Sequence, residues 1–244
     1  MARRDREPKR MMDILRVRKR PVLLVSLPAN DPELGRAAVE AGAEGLKVHI
    51  NLHHAAADAG FGSWQQERDA IEQIVALGVP VGIVPGTAEA MCSPEDLEQM
   101  ADAGVDFVDA YLGDMPAWML DAGTRVHVMA AVGQSDLPPH GSPQGLELLP
   151  QVRMVEASVL PHEAYGLPLR VSDLCAYAYL AALMAPAGVP VIVPTQRAIG
   201  PAEVASLHKA GVRGILIGAI VTGKDVAGLA AVTATFRTAV EQLA

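Results

Sequence analysis

Two segments of this 244-residue chain follow one pattern, and that repetition limits the possible folds more than any other feature. Gly78-Val79-Pro80-Val81-Gly82-Ile83-Val84-Pro85 leads through Ser93-Pro94-Glu95-Asp96-Leu97 to Ala103-Gly104-Val105. Gly188-Val189-Pro190-Val191-Ile192-Val193-Pro194 leads through Gly200-Pro201-Ala202-Glu203-Val204 to Ala210-Gly211-Val212. Each reads as a buried strand, a turn, a helix opened by proline, and a glycine stop. Pro80 and Pro190 lie 110 residues apart, the length of about four strand-helix units of ~30 residues. A third copy of the helix pattern runs from Asp31-Pro32-Glu33-Leu34 to Ala41-Gly42-Ala43. The economical solution is an α/β chain folded as a single (β/α)8 barrel of two half-barrels. Such a barrel sets its chemistry at the carboxyl ends of the strands.

The chain length fits the ~250 residues of one such barrel. Half of the residues are hydrophobic but only 4% are aromatic, so the core must come from Ala, Val, Leu and Ile, as in parallel strands covered on both faces. Cys92 and Cys175 show no metal-type or CxxC spacing, and no disulfide is expected. No apolar run approaches the ~20 residues of a membrane span, and the charged N-terminus lacks the apolar stretch of a signal peptide. The expectation is a cytoplasmic protein that engages neither membrane nor nucleic acid. Arg3, Arg4, Arg6, Lys9, Arg10, Arg16, Arg18, Lys19 and Arg20 are nine of the twenty basic residues, in a chain of net charge −8. Residues 1–20 therefore read as a basic leader and a short amphipathic helix, with Met11, Ile14 and Leu15 on its apolar side, that plugs the bottom of the barrel. The barrel itself is assigned to 21–244.

Apolar runs place the strands at 21–27, 46–50, 81–84, 107–112, 126–132, 154–159, 191–195 and 214–217. Asp31, Ser63 with Gln66, Ser93 and Asp225 supply helix caps. The fifth helix is shortened, to about 142–149, behind a loop that holds Pro138, Pro139, Gly141 and Pro143.

Side chains alternate along a strand, so every second residue of a closed barrel points to its axis. In the second strand Val48 and Ile50 are apolar while Lys47, His49 and Asn51 are polar, so the polar set faces inward. The same reasoning turns Asp109 and Tyr111, His127, and Glu156 and Ser158 inward. Barrel interiors are normally filled with branched aliphatics, and an unpaired buried charge costs several kcal/mol. These groups must therefore neutralise one another as a supportive layer or meet water and a ligand. As a catalytic set, Lys47 polarises a carbonyl or forms a Schiff base, Glu156 or Asp109 is a general base, and His49 and His127 carry protons. Asn51, Tyr111 and Ser158 are candidates for substrate binding.

After the second strand comes a long connection, 51–62. It reads as a lid bearing His53 and His54, with Gly60 and Gly62 as hinges around Phe61. His54 and Asp58 stand four apart and would share a face if helical, but the motif has no third ligand, so no metal site is assigned. His162 and Glu163 are candidate rim residues.

The close of the eighth strand reads Ile215-Leu216-Ile217-Gly218-Ala219-Ile220-Val221-Thr222-Gly223. This segment resembles the ribulose-phosphate-binding group of TIM barrels, including N-acetylmannosamine-6-phosphate epimerase, thiamine phosphate synthase and the tryptophan synthase α subunit. The resemblance implies that backbone N–H groups here and after the seventh strand hold a substrate phosphate. It nominates Gly218, Ala219 and Gly200, with Gln196 and Arg197 beside them. The seventh strand lacks the acid-glycine pair of the epimerase, so that enzyme's substrate is not implied.

The leading expectation is an isomerase, epimerase or aldolase-type lyase whose partner is a small phosphorylated carbonyl compound. The alternatives are an FMN-binding oxidoreductase and a non-catalytic ligand-sensing or scaffold barrel. No cofactor is firmly implied; FMN and a divalent metal stay open. Apolar outer residues Trp118, Tyr177 and Tyr179 leave room for a homo-oligomer.

Overall fold

The computed structural model describes residues 10–121 and 125–243; Arg3, Arg4, Arg6 and Lys9 of the basic leader lie outside the described residues. Strands β1 (Val22–Ser26) and β2 (Gly45–His49) precede a small hairpin of β3 (Leu52–His54) and β4 (Ala59–Phe61). Then come β5 (Val81–Val84), β6 (Phe107–Tyr111), β7 (His127–Ala131), β8 (Val152–Glu156), β9 (Val191–Pro194) and β10 (Gly214–Ile217). Except for the hairpin, these strands pair in parallel and close a barrel in the order β1, β2, β5, β6, β7, β8, β9, β10 and back to β1. This is the (β/α)8 fold that the repeated segments foretell.

The helices are α1 (Met11–Val17), α2 (Pro32–Glu40), α3 (Trp64–Val75), α4 (Pro94–Asp102), α5 (Trp118–Asp121), α6 (Val171–Met184), α7 (Val204–Lys209), α8 (Ala219–Thr222) and α9 (Val226–Glu241). Their starts follow the sequence signals. Glu33 N–H donates to Asp31 Oδ1 at 2.8 Å, Ser63 N–H to Gln66 Oε1 at 2.8 Å, and Gly228 N–H to Asp225 Oδ1 at 2.9 Å. The expected helix at 142–149 is absent. Only a 3-10 turn at Leu146–Leu148 forms, because Gly145 takes φ +97° and the segment is bracketed by Pro143 and Pro150. Tyr177 is fully buried against the core and is not available to a partner, whereas Tyr179 is exposed. Among the described residues, no helix is long and apolar enough to cross a membrane.

The barrel interior has two unlike halves. Toward the amino ends of the strands Val22, Leu24, Phe107, Met129, Met154, Ile192 and Leu216 form one apolar cluster with Met11, Met12 and Leu15 of α1. Glycine makes this packing possible. A Cβ on Gly82 would lie 2.0 Å from the Phe107 ring, and one on Gly45 would lie 2.3 Å from Met11 Cε. Burying side chains of this size stabilises the fold by roughly 1.5–3 kcal/mol each. The result is a solid floor beneath the carboxyl half, where the interior positions turn polar.

Candidate active site

Above the floor lies a cavity of about 290 Å³ lined by Lys47, His49, Asp109 and Glu156 from the strands, by Ser158 just beyond β8, and by the loops above them. The strand register explains the convergence. Lys47 stands level with Ser26 and Gly82, and Glu156 with Ala131 and Ile192, so Lys47 crosses a lumen whose near neighbour Gly82 has no side chain. Lys47 Nζ donates to Asp109 Oδ2 at 2.7 Å and to Glu156 Oε2 at 2.5 Å. Ser158 Oγ donates to the other Glu156 oxygen at 2.6 Å. All four side chains are buried.

Burial alone would strip the proton from Lys47, but the Asp109 and Glu156 carboxylates overcome it and hold the amine above its ordinary range. The two carboxyls are driven apart. Burial, then the neighbouring Glu156 charge, pushes Asp109 well above 3.8. Glu156 meets the same burial, yet the Lys47 ammonium first, then hydrogen bonds with Asp109, Lys47 and Ser158, hold it below 4.5. Asp109 thus holds a proton more tightly than Glu156, a difference that lets one carboxyl serve as acid and the other as base. Asp109 Oδ1 is buried without a hydrogen-bond partner among the described residues, as is His49 Nδ1. Unpartnered polar atoms of this kind are rare in folded proteins.

His49 is fixed through its backbone, for Asn30 Nδ2 donates to its carbonyl at 2.7 Å and its N–H donates to Asn30 Oδ1 at 3.2 Å. Its ring packs 4.5 Å from that of His54 and 4.9 Å from Phe61, and its Nε2 lies 3.4 Å from Ser26 Oγ. Burial, with His54 and Lys47 nearby, holds His49 well below 6.5. The 51–62 connection is the β3–β4 hairpin, whose His53 and His54 line the cavity. The left-handed conformations belong to Asn51 (φ +56°) and Asp58 (φ +44°) and not to Gly60 or Gly62. Asn51 turns aside at the hairpin base and donates to the Pro85 carbonyl at 3.3 Å. His54 and Asp58 stand on a hairpin and not on a helix, so they share no ligand face; Asp58 lies 3.4 Å from His53 instead.

Three further sequence assignments change. His127 points inward but at the amino end of the barrel, about 13 Å below Ala131 at ~3.3 Å per residue. Its Nδ1 lies 3.7 Å from Asp106 Oδ1, and burial pushes it down to about 4. Arg197 is buried beside the cavity and spent: its Nε and Nη2 donate to the two oxygens of Asp173 at 2.9 and 3.1 Å, and its Nη1 to the Ala164 carbonyl at 3.2 Å. Gly200 N–H is taken by Glu203 Oε2 at 2.8 Å. Gly218 and Ala219 do line the cavity, with Gln196 and Tyr111. Gly218 N–H is occupied by Thr195 Oγ1 at 3.0 Å, whereas Ala219 and Ile220 open α8 and have no intrahelical acceptor for their N–H groups. His162 lines the rim; Glu163 does not.

Sequence reasoning passed over Ser26, Gly86, Thr87, Asp114, Tyr165 and Thr195, which also line the cavity. Ser26 was within reach, because it continues the inward alternation of Val22 and Leu24. Tyr165 comes from a loop, and its hydroxyl accepts from Gln196 Nε2 at 2.7 Å. No periodic signal marks such a residue.

The chain matches no protein-family model, and a search of the curated proteins returned no match. Solved structures match its fold. Thiamine phosphate pyrophosphorylase from Pyrococcus furiosus is similar at TM-score 0.62 and 16% identity over 91% of this chain and 96% of that one. Phosphoribosyl anthranilate isomerase from Thermus thermophilus is similar at TM-score 0.63 and 14% identity over 91% of this chain and 100% of that one. A native KDPGal structure is similar at TM-score 0.62 and 15% identity over 92% and 96%. The shared fold is the TIM barrel.

Proposed function

We propose that the protein is an enzyme that moves a proton at the carbon next to the carbonyl of a small phosphorylated compound, as an isomerase or epimerase does. One observation carries the reading: the Lys47 ammonium is clasped at 2.7 and 2.5 Å by two buried carboxyls whose proton affinities diverge. Glu156, kept ionised, takes the carbon-bound proton. Asp109, whose proton affinity burial and the Glu156 charge raise, returns one. Lys47 offsets the negative charge that develops on the substrate oxygen. An ammonium hydrogen-bonded to two carboxyl groups is a poor nucleophile, so this geometry favours proton transfer over the Schiff-base route of an aldolase-type lyase. The substrate phosphate belongs at the Ala219 and Ile220 N–H groups, at the end of β10, which is separated from the hairpin-bearing β2 by β1. The resemblance of the eighth strand and the names of two structural neighbours, a thiamine phosphate pyrophosphorylase and a phosphoribosyl anthranilate isomerase, support that end of the site.

The test is proton exchange. The protein is incubated in D2O with a panel of ketose and aldose phosphates, and loss of the α-proton signal is followed by NMR. Exchange of one member by the wild type, reduced at least ~10³-fold in Glu156→Gln, supports the reading. Absence of exchange across the panel, with borohydride trapping of a carbonyl substrate on Lys47, would replace it with the lyase route. Uptake of FMN with its yellow absorbance would replace it with flavin chemistry.

A further inference from the structure

The hairpin carries a group that the reaction above leaves unused. His54 lines the same cavity as Lys47 and Glu156. Its Nδ1 accepts the N–H of Ala57 at 3.1 Å across the hairpin turn, and Ala57 is itself fully buried. A ring nitrogen that accepts from a backbone N–H carries no proton, so the neutral imidazole bears its proton on Nε2. Burial, then the nearby Lys47 ammonium, pushes His54 down to about 4, and the neutral form persists at ordinary pH. Among the described residues, no side chain or carbonyl accepts a hydrogen bond from that Nε2. The hairpin thus holds out an N–H donor over a cavity in which Asp109 Oδ1 and His49 Nδ1 also lack partners.

We infer that His54 is a catalytic residue whose Nε2–H donates to the substrate oxygen that turns anionic as the carbon proton leaves. The inference rests on the proton-transfer reading and adds to it the donor for the oxyanion. A neutral donor suits this place. An imidazolium would be drawn to Glu156 and quench the base, whereas a neutral N–H stabilises the oxyanion without competing for it. Lys47 cannot fill the role alone, because two of its three N–H bonds are committed to Asp109 and Glu156. The hairpin turn fixes the tautomer, so the donor is already set in the ligand-free protein.

The experiment uses the full-length chain labelled with 15N-histidine, and 2-phosphoglycolate as the probe, whose carboxylate mimics the enediolate oxygens. In the free protein at pH 7, His54 is expected as the Nε2-protonated tautomer, and the probe is expected to move its Nε2–H signal downfield. His54→Phe should weaken 2-phosphoglycolate binding about 10-fold or more. His54→Gln, which keeps an N–H donor, should bind within about 3-fold of wild type. Inorganic phosphate should bind all three alike. A proton on Nδ1 in the free protein, an unmoved Nε2–H signal, or wild-type affinity in His54→Phe would overturn the inference alone. A wild type that binds neither anion would remove the underlying reading, and the inference with it.

Discussion

Two buried cations lie within the carboxyl half of this barrel, each held by carboxylate. Arg197 is matched completely: a bidentate contact to Asp173 and a backbone carbonyl take three of its donors, and neither residue lines the cavity. Lys47 is matched in charge but not in hydrogen bonds, since its partner Asp109 keeps an oxygen without a donor, and all three members of the cluster face open space. Both arrangements meet the requirement that a buried charge be paired. What separates them is satisfaction and access. A closed pair fastens the loop after β9 to α6, whereas an open one has binding capacity left for a ligand.

The sharpest way to break this contrast is catalytic. Glu156→Gln should reduce proton exchange by ~10³–10⁴-fold, in the range that general-base removal costs. Arg197→Met should leave the exchange step of the folded protein within about 10-fold, because Arg197 touches nothing in the cavity. Equal losses in the two variants would erase the distinction.

Stability should separate the sites by pH. Lys47→Met leaves two buried carboxyls without their cation and should cost about 3–5 kcal/mol near pH 7, read from denaturant unfolding. Glu156 is held below 4.5 by Lys47, so in the wild type it contributes stability above pH 4.5 that is lost as pH falls through its folded value. Without Lys47 both carboxyls bind protons more tightly folded than unfolded. The penalty of Lys47→Met should therefore shrink as pH falls from the raised folded values toward 4.5 and 3.8, where uptake by the unfolded chain ends the variant's gain, and shrink further below 4.5 as the wild type loses the Glu156 contribution. A penalty that grows toward acid would contradict the assignment.

For the closed pair, Arg197→Met alone should cost a similar ~3–5 kcal/mol by stranding Asp173. The double variant Arg197→Met with Asp173→Leu should recover part of it, since an apolar replacement removes both desolvation costs but also the acceptor of the Arg170 N–H at the start of α6. The smallest expected effect is at Ser158. Ser158→Ala removes the hydrogen bond that favours ionised Glu156, costs about 1 kcal/mol, and should move the acid limb of the exchange profile to higher pH. A shift to lower pH would mean that Ser158 supports the protonated form.

Much of this architecture is legible in the residues. The strand pattern repeats 110 residues apart, and Lys47, His49, Asp109 and Glu156 stand at alternating positions, which is enough to bring them to one lumen. Height along the axis is less legible. Alternation turns His127 inward as correctly as it turns Glu156, yet it does not say that His127 begins its strand while Glu156 ends one. The pairing of Arg197 is hidden for a different reason: its partner Asp173 sits 24 residues earlier on α6, and only the packing of that helix brings them together. The tautomer of His54 depends on a hairpin that the composition of 51–62 does not announce, since Asn51 and Asp58 take the left-handed conformations that glycine usually supplies.

The most direct measurement is a 13C-carboxyl NMR titration of the ligand-free protein, with Asp109 and Glu156 assigned from Asp109→Asn and Glu156→Gln. Two separated midpoints are expected, the higher at Asp109, well above 3.8, and the lower at Glu156, below 4.5. Coincident titration of both carboxyls at ordinary values, or the reverse order, would contradict the division into acid and base on which the proposed reaction depends.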